Sequence, residues 1–411
     1  MSVRTFWKPL VLAGVLTALV LTFHYSFPSI INNLKQPAPT PYDELGAKLW
    51  RLHSNHPAFA GRPLTSLVIG QLHTRLGLSF TNSFTIVNFS FLFLAGALVY
   101  VVAREYNVSP KNALLSLPIF YGSFTILFSF FRSIDTYDEP LQYCFIFLSL
   151  LLIHKQKWSL ASITLFVALL ARETTVFLYP AIFFYFAKQQ TPLKTFLTSF
   201  DGWKKICYLS VPLVAFLFTE QLVLRAKNLA GGHLDYFVTN RFTHWHYNIQ
   251  NSQFALETII SIFLTLALPL LLLIFYRNRS SASTEDRKLI KAFLLTAVIN
   301  TVIVLVSARA REARLFALPL VFLWPLLGSY LHNALTALQN NWAENTKRLQ
   351  KIIGLCIWLA SLPVLYYLTT TFYHPTYSGG FDYGYQLYLF FTMSLVSLGI
   401  LFSFFSPKTS N

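Results

Sequence analysis

The chain has 411 residues, of which 55% are hydrophobic and 17% aromatic, while only 12% carry a charge. A soluble domain carries about 25% charged residues, so this composition excludes a water-soluble protein and indicates one that lies in the membrane. The net charge of +16 would suggest nucleic-acid binding in a soluble protein. In a membrane protein, lysines and arginines in cytoplasmic loops and beside anionic headgroups explain it, and we expect membrane lipids rather than nucleic acid as partners.

Apolar segments of roughly 17–25 residues, the length that crosses a bilayer as a helix, recur along the chain. They predict an all-α fold, a polytopic membrane helical bundle of about 12 transmembrane helices in a single domain, residues 1–411. The segments are 9–27, 80–103, 111–131, 139–154, 159–171, 174–187, 205–226, 255–275, 290–308, 315–333, 351–371 and 386–405. The short fifth and sixth segments are split only by Arg172-Glu173 and also fit a re-entrant pair, which leaves the count open by about two.

The first apolar segment fits an uncleaved anchor better than a signal peptide, because it is long enough to span and no small-residue cleavage motif follows it. If the N-terminus is inside, lysine and arginine accumulate in the cytoplasmic connections. Most of the acids then lie on the outer side or at outer helix ends. We therefore expect an integral protein of the bacterial inner (plasma) membrane with both termini in the cytoplasm.

The first outer loop, residues 28–79, contains two predicted helices. A proline-rich lead-in precedes Asp43, after which Leu45, Leu49 and Leu52 recur with helical spacing. This pattern predicts an amphipathic helix lying on the membrane surface. A second short helix is expected after Arg62-Pro63.

A later outer loop, residues 227–254, is rich in histidine and aromatic residues. The pairs His233/Asp235 and His244/His246 have a spacing that could bind a metal, but no fourth ligand closes the set. A loop with its tryptophan and tyrosines in the headgroup zone is the favoured interpretation. The same rings could equally stack on a sugar.

Asp43 and Glu44 are two adjacent carboxylates at the start of the predicted surface helix. Acids at a helix N-terminus complement the helix dipole, and this explanation is favoured for Glu44, although it could also contact substrate. An acid at the outer mouth of a membrane bundle is also where a general base would take a proton from an acceptor hydroxyl or amine. For Asp43 we favour this role.

Three carboxylates, Asp135, Asp138 and Glu139, stand together before Pro140. Pro140 suits the first turn of a helix and Asp138 its N-cap, so helix capping explains the acids. The alternative is a substrate contact, with Asp138 as an oxygen ligand for a divalent cation such as Mg²⁺ or Mn²⁺. The sequence weighs these two explanations evenly and indicates no other cofactor.

Arg172 and Glu173 interrupt an otherwise apolar stretch, where charged side chains are costly and are usually paired or functional. Neighbouring helical residues do not face each other, so each is expected to contact another segment. Arg309, Arg311 and Arg314 form the densest basic cluster of the outer side. Planar guanidinium groups bind phosphate through two hydrogen bonds, so we expect these three to hold a lipid phosphate. Anchoring by snorkelling is the alternative.

The order of these motifs resembles the GT-C superfamily of integral-membrane glycosyltransferases, which use polyprenyl-phosphate-linked sugars. The resemblance covers the first 190 residues in motifs and the whole chain in topology. The motifs are Tyr42-Asp43-Glu44 in the first outer loop, Arg62-Pro63-Leu64 before the second span, Thr136-Tyr137-Asp138-Glu139-Pro140-Leu141 opening a span, and Ala171-Arg172-Glu173-Thr174 with Pro180.

This resemblance implies that Asp43 is the catalytic base and that Asp138 and the arginines bind substrate. The expected reaction moves a hexosyl or pentosyl group from a polyprenyl-phosphate donor to a lipid, glycan or protein acceptor on the non-cytoplasmic face. Two other functions stay open. A transporter or flippase of lipid-linked glycans would carry ionisable groups near the midplane. A polysaccharide polymerase or ligase would use outer arginines but need no acid in the first loop.

Overall fold

The computed structural model describes residues 3–26, 41–129, 138–189, 191–229, 243–277, 284–343, 348–376 and 381–405. Every regular element in these ranges is helical, which confirms the predicted all-α fold. The α-helices are α1 (Val3–Tyr25), α2 (Pro41–Asn55), α3 (Pro57–Ala60), α4 (Pro63–Leu76), α5 (Phe80–Glu105), α6 (Pro110–Tyr121), α7 (Glu139–His154), α8 (Trp158–Ala171), α9 (Tyr179–Ile182), α10 (Leu193–Thr198), α11 (Phe200–Ala226), α12 (His244–Ile249), α13 (Ser252–Arg277), α14 (Thr284–Ser307), α15 (Trp324–Ala343), α16 (Arg348–Tyr367) and α17 (Asp382–Phe405).

Seven helices among the described residues are long and apolar enough to cross a membrane, so this is an integral membrane protein. They are Trp7–Tyr25, Phe80–Glu105, Phe200–Ala226, Ser252–Ile274, Thr284–Ser307, Leu349–Phe372 and Asp382–Leu401. Shorter apolar stretches accompany them at Glu139–His154, Trp158–Ala171 and Glu173–Ala187. The predicted count of about 12 spans is not confirmed, because several predicted segments are short or interrupted.

The interruptions have local causes. The predicted segment 111–131 breaks after α6, which is followed by Gly122 and a π-helical turn, Thr125–Ser129. The predicted segment 315–333 begins with two 3-10 turns around Pro319, and α15 starts only at Trp324. Proline removes a backbone donor and glycine lowers helix propensity, so both shorten regular helices inside an apolar run.

The centre of the bundle is the contact between α6 and α15. The indole ring of Trp324 is fully buried and meets Phe120 edge-on, with ring centroids 5.0 Å apart. One turn further along α15, the backbone of Gly328 approaches α6 so closely that a Cβ atom there would lie 1.9 Å from the carbonyl oxygen of Asn112. Ser116 closes the contact, because its hydroxyl accepts a hydrogen bond from the Gly328 N–H (3.0 Å).

Polar contacts bring the last turn of α7 beside the first turn of α14. At one end, His154 in the last turn of α7 lies 3.9 Å from Glu285 in the first turn of α14. Lys155 and Glu105 form an ion pair of 2.8 Å at the same end. At the opposite end, Glu139 in the first turn of α7 meets arginines from two other segments. We call this opposite end the arginine end of the bundle.

The first loop has the two helices that its sequence predicts, α2 and α4. They pack together and onto α5: the indole N–H of Trp50 donates to the carbonyl oxygen of Ser66 (2.9 Å), and its ring contacts Phe80. A short helix, α3, lies between them. Pro63 opens α4, and Gly77 ends it with a left-handed backbone (φ 64°), as glycine does at helix C-termini.

Candidate functional site

Three helix boundaries position the charged residues of the arginine end. Arg62 lies immediately before α4, where Pro63 begins the helix. Asp138 is the N-cap residue of α7, which Pro140 helps to start, but its side chain makes no capping hydrogen bond. Arg172 has an extended backbone (φ −159°, ψ 125°) between α8 and a 3-10 turn. Each side chain is therefore held by a backbone feature that the local sequence determines.

Arg62 is the centre of the first group of ion pairs. Its Nε and Nη2 atoms donate to the two carboxylate oxygens of Glu173, one from each nitrogen. Its Nη1 atom lies 3.5 Å from Oδ2 of Asp138. The side chains of Arg62 and Asp138 are 10% and 2% exposed, so both charges are removed from water and depend on each other.

Glu139 is the centre of the second group. Its Oε1 atom pairs with Arg172 and also accepts a hydrogen bond from Nη1 of Arg314 (3.0 Å). Arg314 in turn donates from Nε (3.0 Å) and Nη2 (2.5 Å) to Oε2 of Glu312. One buried carboxylate thus bridges two arginines that are far apart in sequence.

Burial and neighbouring charge shift the pKa values in this cluster. Burial raises the pKa of the Asp138 carboxyl above its ordinary value, although Arg62 and Arg172 oppose the shift. Burial, together with the nearby charges of Arg62 and Arg314, lowers the pKa of Arg172 to about 9, so this guanidinium still carries its charge at neutral pH. Burial alone would lower the pKa of Arg62, but Glu173 outweighs it and the pKa is raised.

The segment 308–316, which contains Arg309, Arg311 and Arg314, is irregular and has to satisfy its backbone groups without a helix. Side chains from three helices do this. Asn248 of α12 donates to the carbonyl of Ala308 and accepts from the N–H of Ala310. The carbonyls of Arg311, Ala313 and Leu315 are bonded by Ser261, Thr265 and Asn300, respectively.

A cavity of about 850 Å3 lies at the arginine end. Its polar wall combines four arginines and three glutamates: Arg62, Arg172, Arg309, Arg314, Glu139, Glu173 and Glu312. Its apolar wall is formed by residues of α8, α11, α14 and the chain around α9, among them Leu169, Val176, Leu213, Phe216, Leu217 and Val304. Leu217 is 57% exposed, so the apolar wall continues to the outer surface of the bundle.

Arg311 is directed away from this cavity. Its guanidinium stacks on the ring of Phe254 (3.8 Å to the centroid) and donates to the hydroxyls of Tyr247 (2.7 Å) and Thr376 (2.9 Å). Glu257 lies 3.5 Å away and is bonded to Thr376 as well. With a side chain only 4% exposed, Arg311 joins the irregular segment to α12, α13 and the chain before α17. Arg311 therefore does not line the cavity with Arg309 and Arg314, although Arg309 and Arg311 both lie over the ring of Tyr247.

The cavity wall includes five of the predicted site residues: Arg62, Arg172, Glu173, Arg309 and Arg314. Asp138 lies behind Arg62. Asp43 and Glu44 belong to α2, but their side chains fall outside the described part of the structure. The C-terminal end of α2 is followed by His56, which lines the cavity. A helix rises about 1.5 Å per residue, so Asp43 lies roughly 18 Å along the axis from Asn55.

A metal site finds no support in the described ranges. No group of three or more His, Cys, Asp or Glu residues there is arranged to hold a metal ion, and the candidate ligand Asp138 is paired with Arg62. Asp135, His233 and Asp235 lie outside the described residues, and His244 lines the cavity.

Several residues that complete the site were not predicted from the sequence as site residues. Glu139 was noted only as part of an acidic run, although it holds both Arg172 and Arg314. Asn300 lines the cavity from within α14, where a buried amide in an apolar helix was the available signal. Glu312 lies between two predicted arginines and faces the same cavity.

Comparisons with protein-family models, with curated proteins and with solved structures find no match. The function therefore has to be inferred from the residues of the site.

Proposed function

We propose that this protein is a membrane glycosyltransferase that moves a sugar from a polyprenyl-phosphate donor to a lipid, glycan or protein acceptor at the non-cytoplasmic face. The observation that carries the proposal is the cavity of about 850 Å3, whose arginines and apolar walls lie side by side. A lipid phosphate has the same two parts, a charged headgroup and an apolar chain. Few other ligands need both surfaces next to each other.

Arg309 and Arg314 are the groups we assign to the donor phosphate. Both line the cavity, and neither belongs to an α-helix. Guanidinium groups stabilise the negative charge that develops on a phosphate as it leaves the sugar. The prenyl chain would lie along Leu213 and Leu217 of α11, which extend from the cavity to the lipid-facing surface.

In this proposal the bundle crosses the bacterial inner membrane about 12 times, with both termini in the cytoplasm. The end of α7 opposite the arginine end carries Lys155 and Lys157, as cytoplasmic connections do. The arginine end would then face outward, where the lipid-linked sugar and its acceptor are expected.

Asp43 is our proposed general base, which would take the proton of the acceptor hydroxyl as that hydroxyl attacks the anomeric carbon. Because Asp43 lies roughly 18 Å from the far end of α2, the acceptor would bind near the start of this helix. Because the anomeric carbon is one oxygen away from the donor phosphorus, this role requires the donor headgroup to lie within reach of Asp43 when transfer occurs.

The length of α2 between Asp43 and the cavity-lining His56 also favours a second candidate, a polysaccharide polymerase or ligase. Such an enzyme would use Arg172 and Arg314 to hold a lipid diphosphate without an acid in the first loop. A flippase would move the lipid-linked glycan without breaking the bond between sugar and phosphate.

The deciding experiment is sugar transfer by the purified protein in proteoliposomes supplied with synthetic polyprenyl-phosphate sugars, with products identified by mass spectrometry. We expect Asp43→Asn to lower turnover by about 10²–10⁴-fold, the contribution of a general base. The matched control is Asp201→Asn, because Asp201 is 71% exposed and its ion pair among the described residues is with Lys205 on its own helix.

The remaining outcomes separate the candidates. Near-normal transfer by Asp43→Asn, together with its loss in Arg314→Ala, would support the polymerase or ligase. Transbilayer movement of the glycan with no product would support the flippase and reject the glycosyltransferase. Size-exclusion profiles of each variant show whether the bundle has folded.

A further inference from the structure

Among the residues that the structure describes, the arginine and carboxylate charges of the polar wall balance without any ligand. Four arginines line it, and the three lining glutamates together with Asp138 behind Arg62 also supply four charges of opposite sign. An anion that enters a balanced site adds unpaired negative charge in a setting where charges are poorly solvated. One internal carboxylate therefore has to give up its arginine when an anion binds.

Burial makes Asp138 and Glu139 poor candidates for this exchange. Both side chains are below 5% exposed and belong to the first turn of α7. Glu139 also bridges Arg172 and Arg314, so its departure would leave two buried guanidinium groups without their shared partner. The cost of stranding buried charges is several kcal/mol in general.

Glu173 is held more firmly than its exposure of 21% suggests. Both of its oxygens accept hydrogen bonds from Arg62, in the bidentate geometry that is the strongest for this pair. If Glu173 left, Arg62 would keep only Asp138, at 3.5 Å.

Glu312 meets the requirements for exchange. Its side chain is 18% exposed, it lines the cavity, and it lies on the irregular segment 308–316 rather than within a helix. Arg314 donates two hydrogen bonds to a single oxygen of Glu312, and it holds Glu139 through a different nitrogen. When Glu312 leaves, Arg314 therefore stays paired and presents Nε and Nη2 to the newcomer.

We propose that the Glu312 carboxylate occupies the anion subsite at Arg314 in the empty cavity and is displaced by a phosphate monoester or diphosphate headgroup. The ligand class rests on the proposed function, but the exchange itself requires only an anion that reaches Arg314. Glu312 would then set the affinity of the site by competing with the ligand. It would also keep the Nε and Nη2 atoms of Arg314 hydrogen-bonded between turnovers.

The test compares Glu312→Gln with the wild-type protein in lipid nanodiscs, with binding measured by calorimetry. The probe is farnesyl phosphate, and farnesol and inorganic phosphate are separate arms. Because glutamine removes the competing charge, we expect farnesyl phosphate to bind about tenfold tighter, while farnesol binding stays unchanged. Glu105→Gln is the matched control, since Glu105 pairs with Lys155 at the opposite end. Glu173→Gln should bring no gain.

Unchanged or weaker binding by Glu312→Gln, or no binding by any variant, would overturn the proposal and make Glu312 a brace for Arg314. A gain for farnesyl phosphate alone would identify a lipid headgroup site, and an equal gain for inorganic phosphate would identify a general phosphate site. Both of these results support the exchange. A gain in binding without sugar transfer in the proteoliposome assay would reject the proposed function and leave the exchange intact.

Discussion

The carboxylate of Asp138 is buried and therefore poorly solvated. It is 1% exposed, and its Oδ1 atom has no hydrogen-bond partner among the described residues. Burial, the largest influence on it, raises its pKa despite the attraction of Arg62. The ionised form therefore costs the folded protein stability relative to the unfolded chain, in which the same group is hydrated.

This burial predicts a pH-dependent effect of Asp138→Asn. An acid whose pKa is higher in the folded state binds more protons when folded, so its cost is complete above that pKa and disappears as pH falls toward the ordinary carboxyl value. At pH 8 we expect the asparagine variant to melt at a higher temperature than the wild-type protein. The difference should shrink toward pH 5 in thermal unfolding scans of detergent-solubilised protein.

Asp201→Asn again provides the comparison, because its exposed carboxylate has no burial to relieve. A variant that is less stable than wild type at pH 8 would contradict the prediction. It would show that attraction to Arg62 outweighs the burial of Asp138.

At the scale of the helices, α6 and α15 approach each other closely at Gly328. A Cβ atom on Gly328 would collide with a backbone carbonyl of α6, which cannot rotate away as a side chain could. A Cβ atom on Gly14 of α1 would meet a single atom within 4 Å among the described residues, Cε2 of Phe93 at 3.9 Å. Both glycines lie in helices, but only Gly328 packs directly against the backbone of another helix.

We expect Gly328→Ala to destabilise the protein by about 1–3 kcal/mol or more, because overpacking outweighs the higher helix propensity of alanine. The control Gly14→Ala should leave stability unchanged or slightly improved. Thermal unfolding followed by size-exclusion chromatography measures both. Equal melting temperatures for the two variants would show that α6 and α15 do not approach as closely as the structure indicates.

At the scale of the whole molecule, the proposed orientation assigns opposite sides of the membrane to the two ends of the bundle. Lys157, at the end away from the arginines, would face the cytoplasm, and Gln250, close to the arginine end, would face outward. Both side chains are exposed. The native thiols of Cys207 and Cys356 are also exposed and have to be replaced first, whereas Cys144 is buried.

An impermeant maleimide applied to intact cells should label Gln250→Cys and leave Lys157→Cys unlabelled until the membrane is permeabilised. We expect this labelling pattern because lysine and arginine accumulate in cytoplasmic connections. Labelling of Lys157→Cys in intact cells would show that the orientation is the reverse of the proposed one. It would place the cavity on the cytoplasmic side and remove the basis for an outward-facing transferase.

The helical fold and the membrane class could be predicted from the sequence, because apolar runs of bilayer length admit few other structures. The helix interruptions at Arg172 and before Pro140 could also be predicted, because charged residues and proline interrupt a helix locally, whatever the tertiary structure around them. The prediction from the sequence overestimated regular spans where Gly122 and Pro319 interrupt them. Which charged side chains form ion pairs could be seen only in the tertiary structure. Glu139 bridges Arg172 and Arg314, while Arg311 turns toward Glu257, because long-range packing and not sequence spacing selects the partners of buried charges.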